Sequence, residues 1–359
     1  MTIPLIPAGD DDRTDDKWAH PLLKDRWMNA GSAEAISALT DPSQSVEEVV
    51  DLRNWIHEKS IELFNMNFKE EEHKTGEWRE YWAPGLELEE NAPQVRIKIR
   101  VPIRHDDKPL PAEFFVYGGA LIMGCPEMFV GELVTDFEKL GAVVVCAQYR
   151  EAPECKYPAA INDLHAAYKW MIENAGMLGI DLDRIVVRGE SSGGHLAAAL
   201  MHRLKRFNYI NGIMPRAQVL VVPCIDDRQL TPSSKITIEE NYDSVNSHKC
   251  WLAWLGYDNF ASSRVGPEGV PGHAEGDDFK GLPPAYIHVM ESDPDRDDVI
   301  RYASGLLAVG VFCELHQWGG TNHTSLIIYP SAIRDRYLSL LMAELEDAIT
   351  YDLRRPWLK

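Results

Sequence analysis

From about residue 94 onward, short apolar runs alternate with longer amphipathic stretches. "AEFFVY", "AVVVCAQY", "RIVVRG", "AQVLVVP", "AYIHVM" and "FCELHQW" are apolar runs of strand length, the pattern of strands buried on both faces. "QVRIKIRVPI" alternates with period two and predicts an antiparallel edge strand. Helical stretches such as "PAAINDLHAAYKWMIENAG" separate several of these runs. The alternation predicts an α/β chain with a mostly parallel central sheet flanked by helices.

Two regions depart from this rhythm. Up to about Pro84 the chain reads as helical and rather polar, with a capping box of Ser45 and Glu48 ahead of an amphipathic run. Trp27, Trp55, Trp78 and Trp82 enrich this region in aromatics. Between Asp226 and Leu282 the strand–helix alternation fails, and "CWLAWLGYDNF" sits among Ser, Gly, Pro and acidic residues. The expected organisation is therefore a helical cap segment over residues 1–84 and a larger α/β domain over 85–359. A cap insertion at about 226–282 interrupts that domain, with Trp251 and Trp254 as candidates to line its pocket.

Charge narrows the partners. The chain of 359 residues carries 36 Lys+Arg against 56 Asp+Glu, a formal net charge of -20. That surface repels phosphate backbones and anionic headgroups, so neither nucleic acid nor membrane is an expected partner. "MTIPLIPAGDDDRTDD" has no basic, apolar-cored leader, and no later run is long enough to span a bilayer. Six scattered cysteines without a C-x-x-C pair read as reduced thiols of a cytoplasmic protein. "HEKSI" at His57 begins like a zinc motif, but Ile61 stands where the second ligand belongs. No metal and no organic cofactor is implied.

The chemistry gathers around "RIVVRGESSGGHLAAAL". Gly189-Glu190-Ser191-Ser192-Gly193 matches G-x-S-x-G between a buried strand and an Ala-rich helix, the setting of a nucleophile elbow. A serine needs a base, and the base needs an orienting acid. His323, in the glycine-rich "WGGTNHTS", follows a late strand and is the candidate base. His316 falls inside that strand and His195 lies on the helix after Ser191; both read as structural. "ESDPDRDD" offers the acid, and Asp293 is best placed because it is nearest the strand end; Asp226 is the runner-up. The D-x-D-x-D spacing is not a calcium loop, since Asp298 and Ser304 occupy the positions of its Gly and Glu. Asn322-His323-Thr324 is formally a glycosylation sequon, but it contains the candidate base.

"VYGGA", "YREAPECKYPAAINDLHAAYKWM", "GESSGGH", "SDPDRDD" and the late "NH" resemble, in order, the signatures of the hormone-sensitive-lipase-like (GDXG/HGGG) α/β-hydrolases. The resemblance covers roughly residues 94 to 350 and implies an α/β-hydrolase fold and a carboxylesterase activity. It also implies Ser191 as nucleophile, Asp293 as acid and His323 as base, with an oxyanion hole from Gly118, Gly119, Ala120 and Ser192. Gly118 shapes that loop while the others donate backbone N–H groups. Tyr149, Arg150, Pro153 and Asp163 match the family's framework around the site. One departure stands out: Tyr117 replaces the first histidine of H-G-G-G, and its hydroxyl is the candidate brace for the loop. The implied partner is a small acyl ester or metabolite, and a homodimer is the candidate assembly. Two alternatives share the fold: a lyase or cyclase on a specialised metabolite, which Tyr117 keeps open, and a non-catalytic receptor, which lacks a complete triad in this family.

Overall fold

The computed structural model of the chain describes residues 36–65, 68–69, 72–103, 108–237, 242–326 and 331–354; Trp27 and the opening stretch "MTIPLIPAGDDDRTDD" lie outside them. Eight strands form one sheet: β1 (Gly76–Ala83), β2 (Val95–Pro102), β3 (Leu110–Val116), β4 (Val143–Ala147), β5 (Ile180–Glu190), β6 (Ala217–Val221), β7 (Ala285–Met290) and β8 (Cys313–Trp318). Their spatial order is β1-β2-β4-β3-β5-β6-β7-β8. The β1–β2 and β2–β4 pairs are antiparallel, and every later pair is parallel.

Pleating divides the strand side chains between two cores. Ile185, Val187, Leu220, Ile287 and Val289 point to one face, covered by helices α3 (Ala159–Glu173), α4 (Ser192–Arg206) and α6 (Arg296–Ala308). Val186, Val219, Val221 and Tyr286 point to the other, where Ile333, Tyr337 and Leu341 of α7 (Ala332–Thr350) meet them. Helix α2 (Val130–Leu140) packs against α7 on that side. The continuous apolar sequences of β3, β4, β6 and β7 are thus explained, since both faces are covered. "FCELHQW" departs from that expectation, because β8 ends the sheet and its side chains are only half-buried.

Two expectations require correction. Residues 76–83 are not helical; they form the edge strand β1, paired along its whole length with β2. Consequently "QVRIKIRVPI" is antiparallel but not an edge, because β2 lies between β1 and β4. The reason is tertiary: β1 is fixed by a partner strand and by ring contacts, Tyr81 with Trp170 at 5.0 Å and Trp78 beneath Lys98 and Arg100.

Helix α1 (Val46–Phe64) begins at the predicted capping box. Ser45 N–H donates to Glu48 Oε2 (2.7 Å), and Glu48 N–H donates to Ser45 Oγ (3.3 Å). Val49 and Ile56 of α1 join the same buried cluster as Ile97 and Phe115. In the 226–282 stretch, α5 (Ser244–Leu255) starts at Asp243, whose side chain accepts the Asn246 N–H. Trp251 and Trp254 of α5 are fully buried, packed around His195 at ring distances of 4.8 and 4.9 Å. They are core side chains rather than pocket lining.

Candidate active site

Strand β5 delivers Ser191 at the carboxyl end of the sheet, in the strained conformation φ 55°, ψ −124°. A residue with φ there turns the chain abruptly from β5 into α4 and holds its side chain outward. The turn closes because Gly193 has no side chain: a Cβ on it would lie 2.1 Å from the Val116 carbonyl oxygen and 2.4 Å from that of Tyr117. The elbow is also pinned by Ser191 N–H donating to Val221 O at 2.8 Å.

Three side chains from separate loops meet at this point. Ser191 Oγ–H donates to His323 Nε2 at 2.7 Å, and His323 Nδ1–H donates to Asp293 Oδ2 at 2.7 Å. Asp293 follows β7 and His323 follows β8, and both are buried. The other Asp293 oxygen accepts the Asp295 N–H at 3.0 Å, so the carboxylate is held from two sides. The acceptor at Nδ1 fixes the tautomer in which Nε2 is free to take the serine proton.

Beside the elbow runs Tyr117-Gly118-Gly119-Ala120. Gly118 lies close enough to the elbow that a Cβ there would sit 2.8 Å from Glu190 O. Gly119 has φ +142° and Ala120 φ 56°, and among the described residues no acceptor takes the backbone N–H of either. Ser192 opens α4, where unpaired N–H groups and the helix dipole favour negative charge. Tyr117 braces this loop through Tyr149: its hydroxyl accepts the Tyr149 N–H (3.3 Å), and Tyr149 Oη–H donates to Tyr117 O (2.9 Å). The two rings stack at 4.3 Å.

The remaining candidates are otherwise engaged. Asp226, the runner-up acid, is spent on Arg228 and Arg301 and does not reach His323. Asp297 accepts the Ser233 N–H, and Asp298 accepts from Thr231 and Arg301. His195 Nε2 meets Gly269 O at 2.6 Å, and His316 Nε2 lies between Glu314 (2.8 Å) and Glu344 (3.2 Å). Of the framework residues, Arg150 binds Glu89 and Asp163, tying the loop after β4 to α3.

Among the described residues, three groupings carry metal-ligand chemistry: Asp226–Asp227–His273, Asp293–Asp295–His323 and Glu314–His316–Glu344. In each, an imidazole nitrogen is already paired with a carboxylate at 2.7–2.8 Å.

Two neighbours escape sequence reasoning. Cys224, just beyond β6, places Sγ 3.9 Å from Ser191 Oγ, and burial pushes its thiol well up, so it stays protonated. Tyr242, far along in the insertion, packs its ring 4.4 Å from that of His323 and donates its hydroxyl to Cys224 Sγ at 3.3 Å. Next to them Asp295 is also pushed well up, first by burial and then by the Asp293 carboxylate. No motif marks either residue; only chain folding brings them to the imidazole.

Residues 114–327 match the protein family described as alpha/beta hydrolase fold. This chain belongs to that family. The hydrolase is 35% identical over 219 residues to the esterase LipI of Mycobacterium tuberculosis, covering 60% of this chain and 65% of LipI. It is 36% identical over 230 residues to the carboxylesterase NlhH of the same species, covering 61% and 68%. The matched part thus spans about two thirds of these relatives' lengths. Among solved structures, a bacterial heroin esterase superposes with a TM-score of 0.76 at 29% identity, covering 89% of this chain and 98% of the other. An esterase of Pyrobaculum calidifontis gives 0.72 at 26% identity, covering 86% and 95%. Among the described residues, no helix of this hydrolase is long and apolar enough to cross a membrane.

Proposed function

We propose that this α/β hydrolase is a serine carboxylesterase of the hormone-sensitive-lipase-like branch, acting on a small acyl ester. The observation that carries this reading is the unbroken line Ser191–His323–Asp293, with both links at 2.7 Å. That line ends beside the backbone N–H groups of Gly119 and Ala120, which no acceptor among the described residues takes. Relatives and structural neighbours bearing esterase names support it.

Ser191 is the nucleophile. As Oγ attacks the ester carbonyl, its proton passes to His323 Nε2, and Asp293 stabilises the imidazolium through Nδ1–H. The carbonyl oxygen becomes an oxyanion, stabilised by the N–H groups of Gly119, Ala120 and Ser192, while Gly118 keeps the loop against the elbow. His323 returns the proton to the departing alkoxide, leaving an acyl-serine. Water, activated by the same imidazole, adds to that acyl group and releases the acid. Tyr242 and Cys224 flank the imidazole and serine. The segment before β1 and the 226–282 stretch are the cap elements in this reading. Six free cysteines support a reducing, cytoplasmic setting.

A lyase or receptor on this fold gains no support from Tyr117, because its hydroxyl and ring are committed to Tyr149. The test is fluorophosphonate labelling with peptide mapping, alongside Ser191→Ala and p-nitrophenyl acetate turnover. Label is expected on Ser191, with turnover reduced by about 10⁴-fold or more in the variant. Label elsewhere, or turnover undiminished, would overturn the assignment.

A further inference from the structure

The loop that presents the Gly119 and Ala120 N–H groups is held against its own preference. Gly119, Ala120 and Leu121 run consecutively at φ +142°, 56° and 67°. Such a stretch persists only when its surroundings over-determine it. Some of the bracing is internal: Ile122 and Met123 N–H both donate to Gly119 O, at 3.1 and 3.0 Å. Some comes from the loop after β4, where Ala152 N–H donates to Leu121 O at 3.0 Å.

The rest comes from α1, remote in sequence. His57 Nε2 accepts the Gly124 N–H at 2.8 Å, and Arg53 Nε–H donates to Ile122 O at 2.7 Å. Residues 53 and 57 are one helical turn apart, so both reach the loop from one face of α1. Arg53 also donates to Ala152 O at 2.8 Å and binds Glu154, joining both bracing segments through one guanidinium. Farther along, Asn65 donates to Glu127 O (2.9 Å) and accepts the Gly131 N–H (3.0 Å). Burial and the Arg53 charge depress the His57 imidazole to about 4. It is therefore neutral at neutral pH, with Nε2 available as an acceptor. Gly124 itself abuts the Tyr117 ring, since a Cβ there would lie 2.7 Å from Tyr117 Cδ2. The "HEKSI" histidine, which makes no zinc motif, thus has a definite partner.

We infer that His57 and Arg53 are positioning residues for ester hydrolysis, holding residues 119–124 so that the Gly119 and Ala120 N–H groups converge on the oxyanion. This rests on the esterase reading above. Neither side chain touches the reacting atoms; each acts by fixing a loop end. Donor misplacement weakens transition-state stabilisation more than ground-state binding, so the effect falls on kcat.

The test compares His57→Ala, His57→Gln and Ser191→Ala in the full chain with p-nitrophenyl acetate, monitoring the thermal midpoint of each. His57→Ala is expected to lower kcat about 10- to 100-fold with KM nearly unchanged. His57→Gln is expected to recover much of that loss, because its amide oxygen lies where Nε2 did and can accept the Gly124 N–H. Should Ser191→Ala be inactive while His57→Ala keeps kcat within about twofold of the parent, the positioning role fails and the esterase reading stands. Equal kcat losses in the Ala and Gln variants, both folded, also overturn it. Turnover surviving in Ser191→Ala would instead remove the esterase reading itself.

Discussion

Gly193 shows how tightly single atoms constrain this site. A methyl group there would need space already filled by the backbone carbonyls of Val116 and Tyr117, and backbone cannot rotate away as a flexible side chain can. Gly193→Ala must therefore push α4 away from β3 or distort the elbow. The expected outcome is soluble protein with a lowered thermal midpoint and p-nitrophenyl acetate turnover reduced at least about 100-fold, the scale of a misplaced catalytic group. Near-parent turnover would show that the elbow can relax. At this scale the sequence was informative. Ser191 carries a local signature, because the residues that make the turn are contiguous with it. His323 was legible from its place after the last strand. The choice between Asp293 and Asp226 was less so: both follow strands, and their separation rests on Arg228 and Arg301 claiming Asp226.

Among elements, α1 has a pH-dependent attachment. Glu151 is buried beside Arg53, and burial pushes its carboxyl from the ordinary 4.5 up to about 8, with Arg53 pulling the other way and Glu154 adding to the rise. The folded state therefore holds a proton that the unfolded chain releases above about pH 4.5. Between that pH and about 8 this group makes stability fall as pH rises. Glu151→Gln keeps a neutral hydrogen-bonding side chain and removes the ionisation. Its thermal midpoint is expected to exceed the parent's by several degrees at pH 8, with the gap closing at pH 5. An equal gap at both values would show that Glu151 does not titrate in this way. Elements were legible where a continuous apolar run or a cap announced them, as in β3 to β8 and at Ser45. Strand β1 was not, because "GEWREYWA" gains its conformation from pairing with β2, and local periodicity does not report a distant partner.

Across the whole molecule, a net charge of -20 sets the long-range field. At roughly 10 mM salt, where screening extends about 30 Å, the protein is expected neither to sediment with phosphatidylserine vesicles nor to shift a DNA duplex. Binding to either would reveal a basic face that the net charge conceals. The amino-acid order alone determined the strand–helix alternation, the elbow at Ser191 and the overall charge, because each depends on residues adjacent in the chain or on their simple sum. Tertiary structure alone decided which carboxylate faces His323, that Tyr242 lies against that ring, and that α1 grips the Gly119–Gly124 loop. Those contacts join residues 30 to 81 positions apart in the chain, and their geometry is set by how the sheet and helices pack.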